Sequence, residues 1–126
     1  MKRLYALRGA TQCENTQIDI CDQVCLMFDE LLRLNNLAET EIVSVIFSIT
    51  SDLDAVNPAS ALRRRAVPLI DELALFSTQE PESKNSLERT VRVLIHCYLE
   101  EGIKAQHVYR NGAEVLRPDR VYTSVS

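Results

Sequence analysis

At 126 residues the chain has the length of one domain, and a chain of this size buries roughly two-thirds of the surface its unfolded form exposes, enough for a real core. A composition of 46% hydrophobic and 25% charged residues is ordinary for a globular protein, and a formal net charge of −4 argues against general affinity for nucleic acid. No apolar run is long enough to span a membrane, and Met1-Lys2-Arg3-Leu4 lacks the apolar stretch and small-residue cleavage site of a signal peptide, so the expected location is cytoplasmic.

In chain order, Leu4 to Arg8 reads as a short strand ended by Gly9. Thr16 then stands as an N-cap, with Asp19 in the first turn, where an acid is favourable. Cys21, Val24, Cys25, Phe28, Leu31 and Leu32 recur at spacings of three and four, which predicts a long amphipathic helix stopped at Asn35-Asn36. Ile42 to Thr50 is apolar and rich in β-branched residues, a buried strand. After a loop from Asp52 to Asn57, Pro58 suits the first position of a short helix running to about Ala66. Leu73 to Ser77 predicts another short strand, Pro81 to Ser86 a polar loop, and Thr90 to Leu99 a central strand closed by Gly102. Asn111-Gly112 is a strong hairpin signal between arms at Gln106 to Arg110 and Ala113 to Arg117. Pro118 ends the second arm, and 118–126 reads as a flexible tail.

The layout predicts a single α+β domain over 1–126, a mixed sheet with one long helix and short helices. That helix covers one face of the sheet. No second long helix is available for the other, so other copies of the chain are expected to complete it. The four cysteines, Cys13, Cys21, Cys25 and Cys97, lack zinc-site spacing and read as buried free thiols. No zinc site is therefore expected.

The charged residues carry the chemistry. Arg8 follows the first apolar run, Glu80 stands mid-chain, Arg92 interrupts a long apolar strand, and Tyr109 and Arg117 flank the predicted turn. Fixed guanidiniums with one carboxylate and one phenol suit a small polyanion, and chemistry by charge placement rather than through a covalent intermediate. Arg64 and Arg65 read as a solvated helix end, where cations oppose the dipole favourably. His96 reads as a packed strand residue and His107 as a structural partner in the hairpin.

Taken together, Leu7-Arg8-Gly9-Ala10-Thr11, Thr50-Ser51-Asp52-Leu53 with Pro58-Ala59, Gln79-Glu80, Val91-Arg92-Val93-Leu94, His107-Val108-Tyr109 and Val115-Leu116-Arg117-Pro118-Asp119 resemble the monofunctional chorismate mutases of the trimeric pseudo-α/β-barrel class. The resemblance covers nearly the whole chain, from about Leu4 to Asp119. It implies a ferredoxin-like fold, a homotrimer with sites between subunits, and the [3,3] Claisen rearrangement of chorismate to prephenate in phenylalanine and tyrosine biosynthesis, without cofactor.

Chorismate carries two carboxylates, an enol-ether oxygen and a ring hydroxyl. The carbon–oxygen bond lengthens before the carbon–carbon bond forms, so negative charge grows on the ether oxygen. By the resemblance Arg92 donates to that oxygen, which favours the transition state over the ground state. Arg8, assisted by Tyr109, binds the side-chain carboxylate and holds the compact conformer. Glu80 accepts a hydrogen bond from the ring hydroxyl, and Ser77 falls where the family often has a cysteine beside it. Arg63 and Arg117 line the mouth and attract the ring carboxylate, and Leu116 is an apolar wall. Asn57 stands in place of the family's usual aromatic residue and Ser60 in place of its lysine, departures expected to weaken binding more than chemistry. Two other readings are a same-fold trimeric imine or enamine deaminase and a non-catalytic ligand-binding or regulatory module.

Overall fold

The computed structural model describes residues 1–65, 67–69 and 71–118. Its centre is a five-stranded mixed sheet of β1 (Lys2–Gln12), β2 (Ile42–Ile49), β3 (Ala74–Gln79), β4 (Thr90–Glu100) and β5 (Val108–Arg110), in the order β3-β2-β4-β1-β5. β4 is antiparallel to both β1 and β2, whereas β3 and β5 run parallel to β2 and β1 at the two edges. β1 and β2 are therefore parallel to each other with β4 between them. The helix α1 (Gln17–Leu34) connects them as a split β-α-β unit. The α+β class and the central place of the Thr90 strand agree with the sequence.

The helix α1 starts and stops as its residues dictate. The Thr16 side chain accepts the Asp19 N–H at 3.0 Å, and the Asp19 carboxylate accepts the Glu14 N–H at 2.6 Å. Ile20, Val24, Met27, Phe28 and Leu31 are fully buried on the face toward the sheet. They meet the alternate strand residues Leu7, Val45, Phe47, Val91, Val93, Ile95 and Cys97 in one core. At the other end Asn35 is buried. Its amide donates to the carbonyls of Leu31 at 2.8 Å and Gln106 at 2.9 Å, and its side-chain oxygen accepts the Gln106 N–H at 2.8 Å.

Several boundaries differ from expectation. β1 does not end at Gly9 but runs through it to Gln12. The glycine marks a close approach, since a Cβ there would meet Val93, Leu31 and Met27 at 3.0–3.2 Å. The short helix α2 (Pro58–Arg63) keeps Pro58 at its start, with Asn57 as N-cap, but ends before Arg64 rather than near Ala66, which lies outside the described residues. β3 begins and ends slightly later than Leu73 to Ser77.

The predicted hairpin is the larger correction. Asn111 and Gly112 do adopt left-handed conformations, with φ of 55° and 104°. But Ala113 to Leu116 forms a 3-10 turn, and β5 pairs in parallel with β1. The apolar pattern explains this. Ala113 and Leu116, three apart, pack with Ala10 and Tyr109, while Val115 is exposed; strand alternation would have put Ala113 and Val115 on one side. Arg65 is also not a solvated helix end. Its guanidinium is largely buried, lies over the Phe28 ring, and pairs with Asp29 and Glu39. The tail at 119–126 lies outside the described residues.

The second face of the sheet is bare. Leu4, Phe76 and Tyr98 are exposed on it beside half-buried Ile46 and Leu94, with no helix across them among the described residues.

Candidate active site

Strand alternation that sends Leu7, Phe47, Val91 and Val93 toward α1 sends Arg8, Ser48 and Arg92 to the bare face. The register then sets their spacing. Arg92 lies opposite Ala10 on β1 and opposite Ser48 on β2, and Arg8 is its diagonal neighbour, opposite Leu94. These residues line a cavity of about 540 Å³ whose walls also include Ile46, Leu94, Tyr109, Leu116 and Arg117. Its size suits a small ligand.

Tyr109 comes from β5, packed over Ala10 and Ala113. The Arg8 N–H donates to Nδ1 of His107 at 3.0 Å, so the imidazole anchors the backbone that carries the first guanidinium. Glu80 follows the last residue of β3, where its N–H donates to the Ile49 carbonyl at 2.9 Å. Its carboxylate oxygen Oε1 lies 3.3 Å from Arg92 Nε and accepts a hydrogen bond from the Ser48 hydroxyl. Three guanidiniums thus converge on one cavity, with a phenol in its wall and a carboxylate against one of them. The thiols play no part in this arrangement. None of the four cysteines lines the cavity, and burial pushes Cys13 up to about 12 and Cys25 and Cys97 to about 11.

Other sequence candidates lie elsewhere in the single chain. Ser77, opposite buried Phe47, faces the covered side of the sheet, and its hydroxyl donates to Asn57 Oδ1 at 2.8 Å. Asn57 in turn caps α2 through the Ala59 N–H at 2.8 Å. Both line a separate depression of about 240 Å³. Ser60 is half-buried on α2, and Arg63 is exposed at its end. The residues that sequence reasoning missed are Ser48 and the cavity walls Ile46 and Leu94. A serine in the apolar run of β2 was the available signal for Ser48, but its register against Arg92 was not.

Residues 4–120 match the family profile for chorismate mutase type I. The chain belongs to the type I chorismate mutase family. Chorismate mutase AroH of Bacillus subtilis is 29% identical over 122 residues, covering 92% of this chain and 91% of that protein. Chorismate mutase AroH of Thermus thermophilus is 30% identical over 116 residues, covering 90% and 93%. A solved chorismate mutase from Clostridium thermocellum superposes with a TM-score of 0.79 at 37% identity, covering 88% of this chain and 98% of that one. The activity is therefore that of an isomerase, a chorismate mutase. Neither the imine-deaminase reading nor the ligand-sensor reading draws support from these likenesses. Among the described residues no helix is long and apolar enough to cross a membrane.

Proposed function

We propose that the bare-face cavity is where this chain converts chorismate to prephenate, by fixed charge and restriction of the substrate's conformation. Arg92 donates to the ether oxygen as it gains negative charge. Arg8 takes the side-chain carboxylate, with Tyr109 beside it, and folds the enolpyruvyl arm over the ring. Glu80 accepts the ring hydroxyl without proton transfer. Leu116 forms an apolar wall, and Arg117 draws in the ring carboxylate. The observation that carries the reading is the meeting of Arg8, Arg92, Tyr109 and Arg117 in one cavity, with Glu80 held against Arg92.

The working unit on this reading is a homotrimer in the cytoplasm, with a neighbouring copy supplying Asn57, Ser60, Arg63 and Ser77. Two observations support self-association. Those four residues lie apart from the cavity within one chain, and Leu4, Phe76 and Tyr98 are exposed on a face that no helix covers among the described residues.

Loss of chorismate ultraviolet absorbance, with prephenate as product, tests the chemistry; no turnover by folded protein would sink it. Light scattering gives the oligomeric state. A sharper test of the shared site refolds Arg92→Ala together with Arg63→Ala. Sites built from two copies regain activity in hybrid trimers, whereas sites built within one chain do not.

A further inference from the structure

We propose that Ser48 is a positioning residue that sets the Glu80 carboxylate and, through it, the Arg92 guanidinium; the inference rests on the mutase reading of the cavity. Ser48 sits on β2 between its cross-strand partners Thr78 on β3 and Arg92 on β4. β3 and β4 are not neighbours, so Glu80 must reach across the end of β2 to meet Arg92. Ser48 occupies the position that this reach crosses. It is half-buried, lines the cavity, and donates its hydroxyl to Glu80 Oε1.

Two consequences follow for the ligand-facing atoms. First, among the described residues the Ser48 hydroxyl donates to Oε1 and Arg92 Nε forms its ion pair with the same oxygen, which leaves Oε2 for the ring hydroxyl. A serine on a strand has one side-chain torsion to order, so it fixes a carboxylate at small entropic cost. Second, the ion pair with Glu80 uses Nε of Arg92. A guanidinium and an unrestrained carboxylate favour the two-point fork. Such a fork would occupy a second guanidinium N–H and both carboxylate oxygens. By satisfying Oε1 from the side, Ser48 disfavours that fork. The terminal nitrogens of Arg92 stay available for the ether oxygen.

The test compares Ser48→Ala and Ser48→Thr in the wild-type and Glu80→Gln backgrounds, with folding followed by circular dichroism. Ser48→Ala is expected to lower kcat/KM by roughly tenfold, mostly in kcat, as for loss of a hydrogen bond to a charged group. Ser48→Thr keeps a hydroxyl on a residue suited to a strand and should retain most of the activity. If Ser48 acts through Glu80, its removal costs much less once Glu80 is already Gln. A merely structural serine would lower thermal stability and cost the same in both backgrounds. Unchanged kinetics in a folded Ser48→Ala variant, or an equal loss in both backgrounds, would overturn the proposal and leave the mutase reading standing. Wild-type protein without chorismate turnover would overturn both.

Discussion

The two faces of the sheet are built from the same strands and serve opposite ends. Toward α1, alternate residues are fully buried, apolar and tightly fitted. Toward the bare side, the intervening residues include Arg8, Ser48 and Arg92, all accessible to a ligand. Because side chains on a strand alternate strictly, neither set can be changed in register without exchanging the two roles. On the proposed reading of the cavity, stability and chemistry are separated within single strands, residue by residue, and substitutions on the two faces should separate in the same way.

The largest effect is expected from the covered face. Phe28→Ala removes a fully buried ring from the core and should cost about 3–5 kcal/mol of folding free energy in denaturant titration. A cost below 1 kcal/mol would contradict the packing described. On the bare face, Arg92→Ala should raise the activation barrier by roughly 3–4 kcal/mol while the urea midpoint hardly moves. Arg92→Lys should recover little of that, since an ammonium lacks the planar fork. A matching loss of stability would erase the distinction between the faces.

Gly9 joins both roles, because it lines the cavity and lies under Met27 and Leu31. Gly9→Val should destabilise by about 1–3 kcal/mol through overpacking and depress activity with it, measured as a paired drop in melting temperature and kcat/KM. Thr16→Ala should cost about 1 kcal/mol by loss of the cap and leave kcat untouched.

The smallest effect concerns pH. Burial holds the Cys13 thiol up to about 12 and that of Cys97 to about 11, above the ordinary 9.0. The unfolded chain therefore releases these protons first as pH rises. Stability from keeping them neutral is present below pH 9.0 and is lost progressively toward pH 11 and 12. Urea midpoints measured from pH 8 upward should fall, and should fall less steeply in Cys97→Ala.

What the sequence made legible follows the same division. The helix α1 was readable end to end, because Thr16, Asp19, the spacing of its apolar residues and Asn35 all agree. The strands of the core were readable from β-branched content, though Gly9 misled because a glycine for close packing looks like a glycine for a turn. The segment after Gly112 misled for a related reason. A left-handed Asn-Gly turn is common to hairpins and to other reversals, and only the three-residue spacing of Ala113 and Leu116 separates them. At the site, the charged residues were readable one by one, most of them through resemblance to a family. Their contacts were not. The meeting of Glu80 with Arg92 and Ser48 depends on a strand order in which β2 lies between β3 and β4, and pairing between distant strands leaves no mark in local sequence.

Asn35 has one further consequence. Its side chain grips Gln106 from both sides, just ahead of β5, and the Glu101 N–H is tied back to the Met1 carbonyl at 2.9 Å. The stretch 102–105 is thus moored at each end, with the Gly102 N–H also donating to the Tyr5 hydroxyl at 3.1 Å, and the strand bearing Tyr109 is registered by these moorings and by its pairing with β1. Extra Gly-Ser residues placed after Gly102 should be absorbed there without displacing the phenol. The reach of the connection is thereby uncoupled from the shape of the pocket it leads to.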